Sequence, residues 1–411
     1  MKQKPVVAIV HYSCPPVIGG VESVIGSHAR LLSANGYSVK IITGKGEQFI
    51  PGVELVKIPE IRTDHKPYMR SFKKVEDDAS ELKNYTQSLE NKLLNSLSNV
   101  DVCIVHNVMT MHFNLALAWA LKHIADNGDG PSFINWIHDC SLNDPTYRDN
   151  CPRDRYPWSV LGMKQKMKYV AISELREQEV SELFNIHPRY ISTIPNGIDL
   201  SDFLGLTDVV HNIFDSERLA EFDVTALTPT RIVKRKNLEL GLAVLQEMKK
   251  TGVSAKWLVT GAPDPHNPAV IQYFNYLQSE IRKRRLDKNV TFLSHKYNIS
   301  LSSADVSSLY RVSNVLFFLS RQEGFGIPLI EAGLARLLVL ASDIPPLRAV
   351  GGKNAIYVDP DGKKVQSSVK RLLKKIDDNL VLRMNRQVTR EYPWELIFRK
   401  KIEPLIQKAV R

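Results

Sequence analysis

The chain has 411 residues, a length that suggests two or three domains. Its composition, 43% hydrophobic and 24% charged, is typical of a globular protein. No stretch approaches the roughly 20 apolar residues that a membrane-spanning helix needs. The apolar run from Pro5 to Val10 ends at His11, which is typical of a first buried strand and not of a secretory leader. We therefore expect a cytoplasmic protein.

The net charge of +11 comes almost entirely from the residues after position 198. A basic half suits an anionic ligand such as a nucleotide diphosphate, an acidic acceptor or a membrane surface. The lysines and arginines from Lys363 to Lys375 follow a helical period without interleaved aromatic residues. This pattern favours a solvated helix face over peripheral membrane contact, and it argues against nucleic acid as a partner.

Short apolar runs bounded by turn residues alternate with amphipathic stretches along the chain. In the first half, strands are predicted at Val6–His11, Ser38–Thr43, Asp101–His106, Phe133–His138, Tyr169–Ser173 and Ile191–Pro195. In the second half, they are predicted at Val224–Pro229, Ala255–Gly261, Asn289–Leu293, Val315–Ser320, Leu337–Ser342 and Ala355–Asp359. Continuous apolar strands separated by helices indicate parallel sheets that are covered on both faces.

Two such series predict an α/β protein with two doubly wound, Rossmann-like domains. The turn Pro195-Asn196-Gly197-Ile198-Asp199 places the boundary between domains 1–198 and 199–393, and a helix is predicted over 394–411. Ligands of open parallel sheets bind at the carboxyl ends of the strands. We therefore expect the ligand in a deep crevice between two facing sheets.

Two glycines, Gly19 and Gly20, follow the first predicted strand and open the next helix. Glycine lets the backbone approach a ligand closely, and a helix N-terminus offers free N–H groups to a phosphate. A plain tight turn explains this pair equally well. The four cysteines have no C-x-x-C or paired-histidine spacing, so neither zinc nor a disulfide is expected.

A basic segment with Arg231 and Lys236 follows the first strand of the second half. A guanidinium can bind two phosphate oxygens, and an ammonium adds a point charge, although a solvated basic loop is the alternative. In a later segment, Glu323 lies in a glycine-rich turn and Glu331 lies about one turn inside the following helix. A partly buried Glu331 needs a partner, either sugar hydroxyls or another part of the protein.

Together these segments resemble the retaining nucleotide-sugar glycosyltransferases of family 4, which have the GT-B fold. The most specific feature is E-G-F-G-I-P-L-I-E from Glu323 to Glu331, which matches the family's E-x7-E signature. The glycines, the basic segment and the turn P-N-G-I-D occur in the family's order, so the resemblance covers nearly the whole chain. It implies that the last helix crosses back onto the first domain.

The resemblance also implies the roles of the site residues. Glu323 would bind hydroxyls of the transferred sugar, and Glu331 would bind the ribose. Arg231 and Lys236 would bind the diphosphate and stabilise its charge as it leaves. The other donor-binding residues would be Gly19, Gly20, Phe292 (beside the base), Gly324, Phe325 and Gly326. His138 matches the active-site histidine beside the sugar, although a lone histidine is more often structural.

The function implied is a retaining hexosyltransferase that uses a UDP-, GDP- or ADP-sugar and transfers by front-face attack. No metal and no further cofactor is expected. The acceptor stays open between a small polar acid, a lipid and a polysaccharide end, and the oligomeric state is undefined. The alternatives are a non-catalytic module that binds sugar nucleotides, or another GT-B enzyme such as an epimerase or a phosphorylase.

Overall fold

The computed structural model describes residues 4–410, which divide into two compact units. The N-terminal unit contains the described residues up to Ile198 and those from Tyr392 onward, and the C-terminal unit is Asp199–Glu391. Each unit is built on a parallel sheet whose strands alternate with helices. This is the α/β, Rossmann-like architecture that the sequence predicts.

The N-terminal unit has a seven-stranded sheet. Its strands are β1 (Val6–Ser13), β2 (Ser38–Lys45), β3 (Glu54–Lys57), β4 (Val102–His106), β5 (Ser132–Ile137), β6 (Lys168–Ala171) and β7 (Ile191–Thr193). Its first helices are α1 (Gly20–Ala34), α2 (Lys66–Lys73), α3 (Ser80–Ser96), α4 (Leu115–Asn127), α5 (Pro145–Arg148) and α6 (Glu174–Phe184). The strand order is β3-β2-β1-β4-β5-β6-β7.

The C-terminal unit has a six-stranded sheet in the order β10-β9-β8-β11-β12-β13. Its strands are β8 (Val224–Thr228), β9 (Ala255–Val259), β10 (Val290–Phe292), β11 (Val315–Phe318), β12 (Leu338–Ser342) and β13 (Ile356–Val358). Its helices are α7 (Leu200–Leu204), α8 (Asp208–Ser216), α9 (Leu238–Lys250), α10 (Pro268–Lys283), α11 (Leu293–Tyr297), α12 (Ser303–Val312), α13 (Ile327–Leu334), α14 (Pro345–Gly351), α15 (Val365–Asp378) and α16 (Leu380–Glu391).

All twelve predicted strands are present, with ends shifted by at most two residues. The prediction missed β3, which is a four-residue edge strand with no fully buried residue. Such a strand has no continuous apolar run to identify it. The central strands β4 and β8 are buried at every position, as expected for sheets covered on both faces.

The chain returns to the N-terminal unit at its end. Trp394 N–H donates to the Ile198 carbonyl at 3.2 Å, and the Trp394 indole lies against Gly197, where a Cβ would come within 2.5 Å of it. The expected single helix is instead α17 (Trp394–Ile397), a π-helical turn (Phe398–Ile402) and α18 (Glu403–Val410). Among residues 4–410, no helix is long and apolar enough to cross a bilayer.

Candidate active site

In both sheets the strand order reverses once. β1 pairs with β2 on one side and with β4 on the other, and β8 lies in the same way between β9 and β11. At such a reversal, the loops after the two central strands lead to opposite faces of the sheet and leave a crevice for a ligand. The residues that follow β1, β4, β8 and β11 are therefore the candidates for a functional site.

In the C-terminal unit, the loops after β8 and β11 meet through charged side chains. Lys236 Nζ donates to Glu323 Oε1 at 2.5 Å and lies 5.2 Å from the centroid of the Phe318 ring. The two charged side chains are only 13% and 12% exposed. Arg321 N–H donates to the Arg235 carbonyl at 2.8 Å, which ties the loops together. The fold thus brings together two residues that the sequence places in separate segments.

Arg231 lies in the same loop as Lys236 and is exposed. Its guanidinium has no hydrogen bond or salt bridge to any residue between 4 and 410. The backbone of this loop passes close to Gly261, where a Cβ would lie 2.8 Å from Arg231 Cα. Arg231 therefore presents an unneutralised cation at the carboxyl end of β8, whereas the charge of Lys236 is balanced by Glu323.

The turn Gly324-Phe325-Gly326 connects β11 to α13. Gly326 has a φ of +113°, and a Cβ there would lie 2.8 Å from Leu347 Cδ2, so a larger residue would be strained. Gly326 caps α13 without a side-chain hydrogen bond. The Ile327 N–H at the start of α13 therefore has no side-chain cap, whereas Pro328 has no N–H and Leu329 N–H donates to the Gly326 carbonyl at 2.9 Å. Gly324 and Phe325 beside this helix start are exposed.

Two other predicted donor residues contact the protein itself. Tyr310 O–H on α12 donates to Glu331 Oε2 on α13 at 2.6 Å, and burial followed by this hydrogen bond raises the pKa of Tyr310 well above its usual range. Glu331 is half-buried, as expected, and bridges two helices. Phe292 at the end of β10 is 5% exposed and packs edge-to-face on Phe274, with ring centroids 5.1 Å apart.

In the N-terminal unit, Gly19 caps α1 and Gly20 is its first residue. The atoms closest to the position of a Gly19 Cβ belong to the Glu22 carboxylate, so a side chain at position 19 would displace that carboxylate. Ser13 O–H donates to Glu22 Oε1 at 2.5 Å. Glu22 thus folds back towards the start of its own helix, where the helix dipole stabilises a negative charge.

His138 belongs to a group of four buried histidines with His11, His28 and His106. His106 Nδ1 and His138 Nε2 are 3.2 Å apart, and His11 Nδ1–H donates to the His106 carbonyl at 2.7 Å. Burial, followed by charge repulsion from other groups, lowers the pKa of His28 and of His138 to about 3. The pKa values of His11 and His106 are lowered too, so all four imidazoles are neutral at pH 7.

A cavity of about 790 Å³ lies at the carboxyl ends of the N-terminal strands. Its wall includes His11, Glu22, Asn107 and Asp139, but the ring of His138 does not line it. Asn107 has a φ of +51°, and its Oδ1 accepts from the N–H groups of His138 and Asp139 at 3.1 and 2.8 Å. Asn107 therefore orients the turn that carries Asp139 into the wall.

No sequence pattern assigned a role to His11, Glu22 or Asn107. His11 lies near the end of β1, and Asn107 directly follows β4. These positions are the sequence feature that could have identified both residues as site candidates. That signal becomes usable only when β1 and β4 are known to be neighbours. In residues 4–410, no three or more His, Cys, Asp or Glu side chains form a group that could hold a metal ion, and all four cysteines are buried and free.

Comparison with known proteins identifies the class. The protein-family model described as Glycosyltransferase Family 4 matches residues 18–202. A second family model, described as Glycosyl transferases group 1, matches residues 210–391. Together they match nearly the whole chain, one model to each Rossmann-like half. The protein is a glycosyltransferase with the GT-B fold, and it belongs to glycosyltransferase family 4.

Three relatives illustrate the similarity. Mannosylglucosylglycerate synthase of Thermotoga maritima is 23% identical over 83% of this chain and 82% of its own length. An O-antigen chain mannosyltransferase of Salmonella typhimurium is 26% identical over 56% of this chain and 57% of its own. GDP-mannose:cellobiosyl-diphosphopolyprenol alpha-mannosyltransferase of Xanthomonas oryzae is 24% identical over 55% of this chain and 57% of its own.

Proposed function

We propose that this glycosyltransferase moves a hexose from a nucleotide diphosphate sugar to an acceptor hydroxyl with retention of the anomeric configuration. The C-terminal unit would bind the donor, and the N-terminal unit would bind the acceptor. The observation that carries the proposal is the free guanidinium of Arg231 in the same loop as Lys236, whose charge is balanced by Glu323.

The chemistry explains why these charges belong at the reacting centre. Glycosyl transfer passes through an oxocarbenium-like transition state while negative charge grows on the leaving diphosphate. A fixed cation aimed at that charge stabilises the transition state more than the ground state. No carboxylate within residues 4–410 pairs with Arg231 and reduces its effect, and Glu323 holds Lys236 in a defined position. We propose front-face attack, with the leaving phosphate accepting the acceptor's proton.

We propose a mannosyl residue as the transferred sugar and GDP-mannose as its donor. The relatives from Salmonella and Xanthomonas are named as mannosyltransferases, and the latter name includes GDP-mannose. The relative from Thermotoga is named for a product that contains a mannosyl group. UDP- and ADP-sugars are the competing donors that a binding experiment has to include. Transfer without a divalent metal is part of the proposal, and it predicts undiminished turnover in the presence of a chelator.

The other site residues keep the roles that the resemblance implies as parts of this proposal. The backbone of Gly324, Phe325 and Gly326 would contact the sugar and phosphate, helped by the uncapped start of α13. Gly19 and Gly20 would contact the diphosphate, which requires the Glu22 carboxylate to move or to share that space. Glu331 would bind the ribose, Phe292 would flank the base, and His138 would offer a neutral imidazole beside the sugar.

The test is to measure thermal shifts and donor hydrolysis with GDP-mannose and a panel of UDP-, GDP- and ADP-sugars. We expect selective stabilisation by GDP-mannose. Replacing Arg231 with Ala should lower kcat by about a hundredfold or more, as for other groups that stabilise developing charge. Lys283→Ala is the matched control, because Lys283 is a cation on α10 whose side chain is 77% exposed.

Either of two results would defeat the proposal. One is the absence of any shift with every nucleotide sugar, which would leave no working donor site. The other is near-normal turnover of Arg231→Ala, which would remove the cation from the reaction. Retention itself is read from the anomeric configuration of the product by NMR, and an inverted product would contradict the front-face mechanism.

A further inference from the structure

The cavity of the N-terminal unit contains features of a sugar-binding site. One wall is aromatic: Phe113 is 37% exposed and packs edge-to-face on Tyr147 and on Tyr12, with ring centroids 6.1 and 6.0 Å apart. All three rings line the cavity. Exposed aromatic faces in a concave pocket stack against the flat apolar face of a ligand, and the polar residues around them fix its orientation.

The polar part of the wall supplies hydrogen-bond acceptors. Five carboxylates line the cavity: Glu22, Asp64, Asp139, Asp144 and Glu179. Glu22 is bound by Ser13, and Asp139 lies 3.3 Å from Asn107 Nδ2, so both are held by the protein. A carboxylate accepts strong hydrogen bonds from hydroxyl groups. A ligand with several hydroxyls therefore matches this wall.

The cationic side chains of the wall are largely neutralised. Arg62 forms two hydrogen bonds to Asp64 at 2.7 and 2.8 Å. Arg176 pairs with Glu179, and its Nη2 also lies 3.7 Å from Asp139 Oδ1. Lys45 is the third cation, and its ammonium makes no hydrogen bond or salt bridge to any residue within 4–410. The wall carries five carboxylates against three cations, and Lys45 is the one cation among them without an ion pair to a described residue, so the cavity can pair with at most a single negative charge of a ligand.

These observations favour one of the three acceptor classes that the sequence left open. A cavity of about 790 Å³ is in the range that binds drug-sized ligands, which is larger than a three-carbon acid requires. An acyl chain would remove water from Glu22 and Asp139 without giving hydrogen bonds in return. A sugar ring satisfies the aromatic and the acidic parts of the wall at the same time.

We propose that the acceptor is a saccharide bound in this cavity, with its ring against Phe113 and Tyr147 and its hydroxyls on Glu22 and Asp139. The inference rests on the proposed function, since it names the acceptor of that transfer. One acceptor oxygen forms a bond to the anomeric carbon of the donor sugar, and the bond from that carbon to the diphosphate breaks. The hydroxyl proton leaves with the diphosphate.

The experiment compares acceptors on the full chain with the donor that the panel selects. The acceptors are a methyl glycoside, a neutral disaccharide, a methyl glucuronide, glycerate and an alkyl phosphate. We expect products with the three glycosides and none with glycerate or the alkyl phosphate. Comparing the disaccharide with the methyl glycoside shows whether the enzyme prefers the end of a sugar chain or a single sugar as acceptor. The methyl glucuronide tests whether the cavity accepts one negative charge, which Lys45 could balance.

Variants of Phe113 connect the result to the cavity. We expect Phe113→Ala to raise the acceptor KM by roughly tenfold, with donor KM unchanged, since an aromatic contact contributes on that order. Phe113→Tyr keeps the ring and should behave as the wild type. Tyr190→Ala is the control, because Tyr190 is 62% exposed in the same unit and does not line the cavity. Thermal unfolding checks that each variant is folded.

The inference is overturned if glycerate or the alkyl phosphate is used as efficiently as the glycosides. It is also overturned if folded Phe113→Ala keeps the wild-type acceptor KM. A failure of the proposed function looks different, because then no nucleotide sugar binds even in the absence of acceptor. Donor binding and slow donor hydrolysis without use of any glycoside would overturn the acceptor inference alone.

Discussion

The N-terminal unit buries four imidazoles beside the reversal of its sheet, whereas the C-terminal unit buries charges that neutralise one another. Glu217 in the C-terminal unit is 3% exposed at its side chain and accepts from Lys256, Lys296 and Tyr297, each at 2.7 Å. In the N-terminal unit, His28 has no hydrogen-bond partner for either ring nitrogen among the described residues. A neutral imidazole tolerates that isolation, but a buried carboxylate requires partners.

This difference predicts that acid affects the two units at different pH. The folded N-terminal unit holds His28 at a pKa of about 3, below the ordinary 6.5, so the unfolded chain binds more protons. The stability from this histidine is present above pH 6.5 and is lost as the pH falls towards 3. Burial alone would raise the pKa of Glu217, but its hydrogen bonds outweigh burial and lower it to about 2. That contribution is lost only between pH 4.5 and 2.

The largest loss of unfolding free energy is expected from Glu217→Gln. Lys256 is 5% exposed at its side chain and would keep a buried charge without its carboxylate. Leaving one partner of a buried pair uncompensated costs about 3–5 kcal/mol of unfolding free energy. Hydrogen exchange in peptides from β8, β9 and β10 measures this loss within the C-terminal unit. Glu221→Gln is the control, because Glu221 is 38% exposed and pairs with an exposed arginine. A loss below 1 kcal/mol would show that the cluster does not stabilise the unit.

An intermediate effect is expected at the Lys236–Glu323 pair. Glu323→Gln leaves the half-buried Lys236 unpaired, which should cost on the order of 1–3 kcal/mol. Lys236→Met should cost less, because Arg235 Nη1 lies 3.7 Å from Glu323 Oε1 and still pairs with it. The double variant should regain part of that stability, while turnover stays low in all three variants. Thermal and denaturant unfolding give the double-mutant cycle. The exposed Arg321–Asp361 pair, 2.6 Å apart, is the matched control and should contribute less than about 1 kcal/mol. Strictly additive effects at Lys236 and Glu323 would mean that the pair is not coupled.

The smallest effect is expected from His28→Phe. A phenyl ring can pack on Trp136 and Trp394, which His28 already contacts edge-to-face at 4.6 and 5.2 Å. The variant cannot take up a proton, so at pH 5 it should lose on the order of 1–2 kcal/mol less stability than the wild type. Hydrogen exchange of β1, β4 and β5 at pH 5 and 7.5 provides the measurement, with β8 and β9 as the internal reference. An equal loss of stability in both units between pH 7.5 and pH 5 would contradict the predicted difference between them.

Local patterns in the sequence were sufficient for twelve strands and for the family. Continuous apolar runs predicted twelve strands, because a strand buried on both faces needs apolar residues at successive positions. The segment from Glu323 to Glu331 carried the family resemblance, and the matching family models confirm that membership. The edge strand β3 was missed because it is short and half-exposed.

Only the tertiary structure decided which of these segments meet. Lys236 and Glu323 lie 87 residues apart and form a pair because β8 and β11 are neighbours in the sheet. His106 and His138 meet in the same way, because β4 and β5 are paired. The periodicity of a sequence reports whether each strand is buried, but it carries no information about strand order. Strand order places side chains in a cavity or against each other, and so it determined the candidate acceptor cavity, the burial of His138 and the freedom of Arg231.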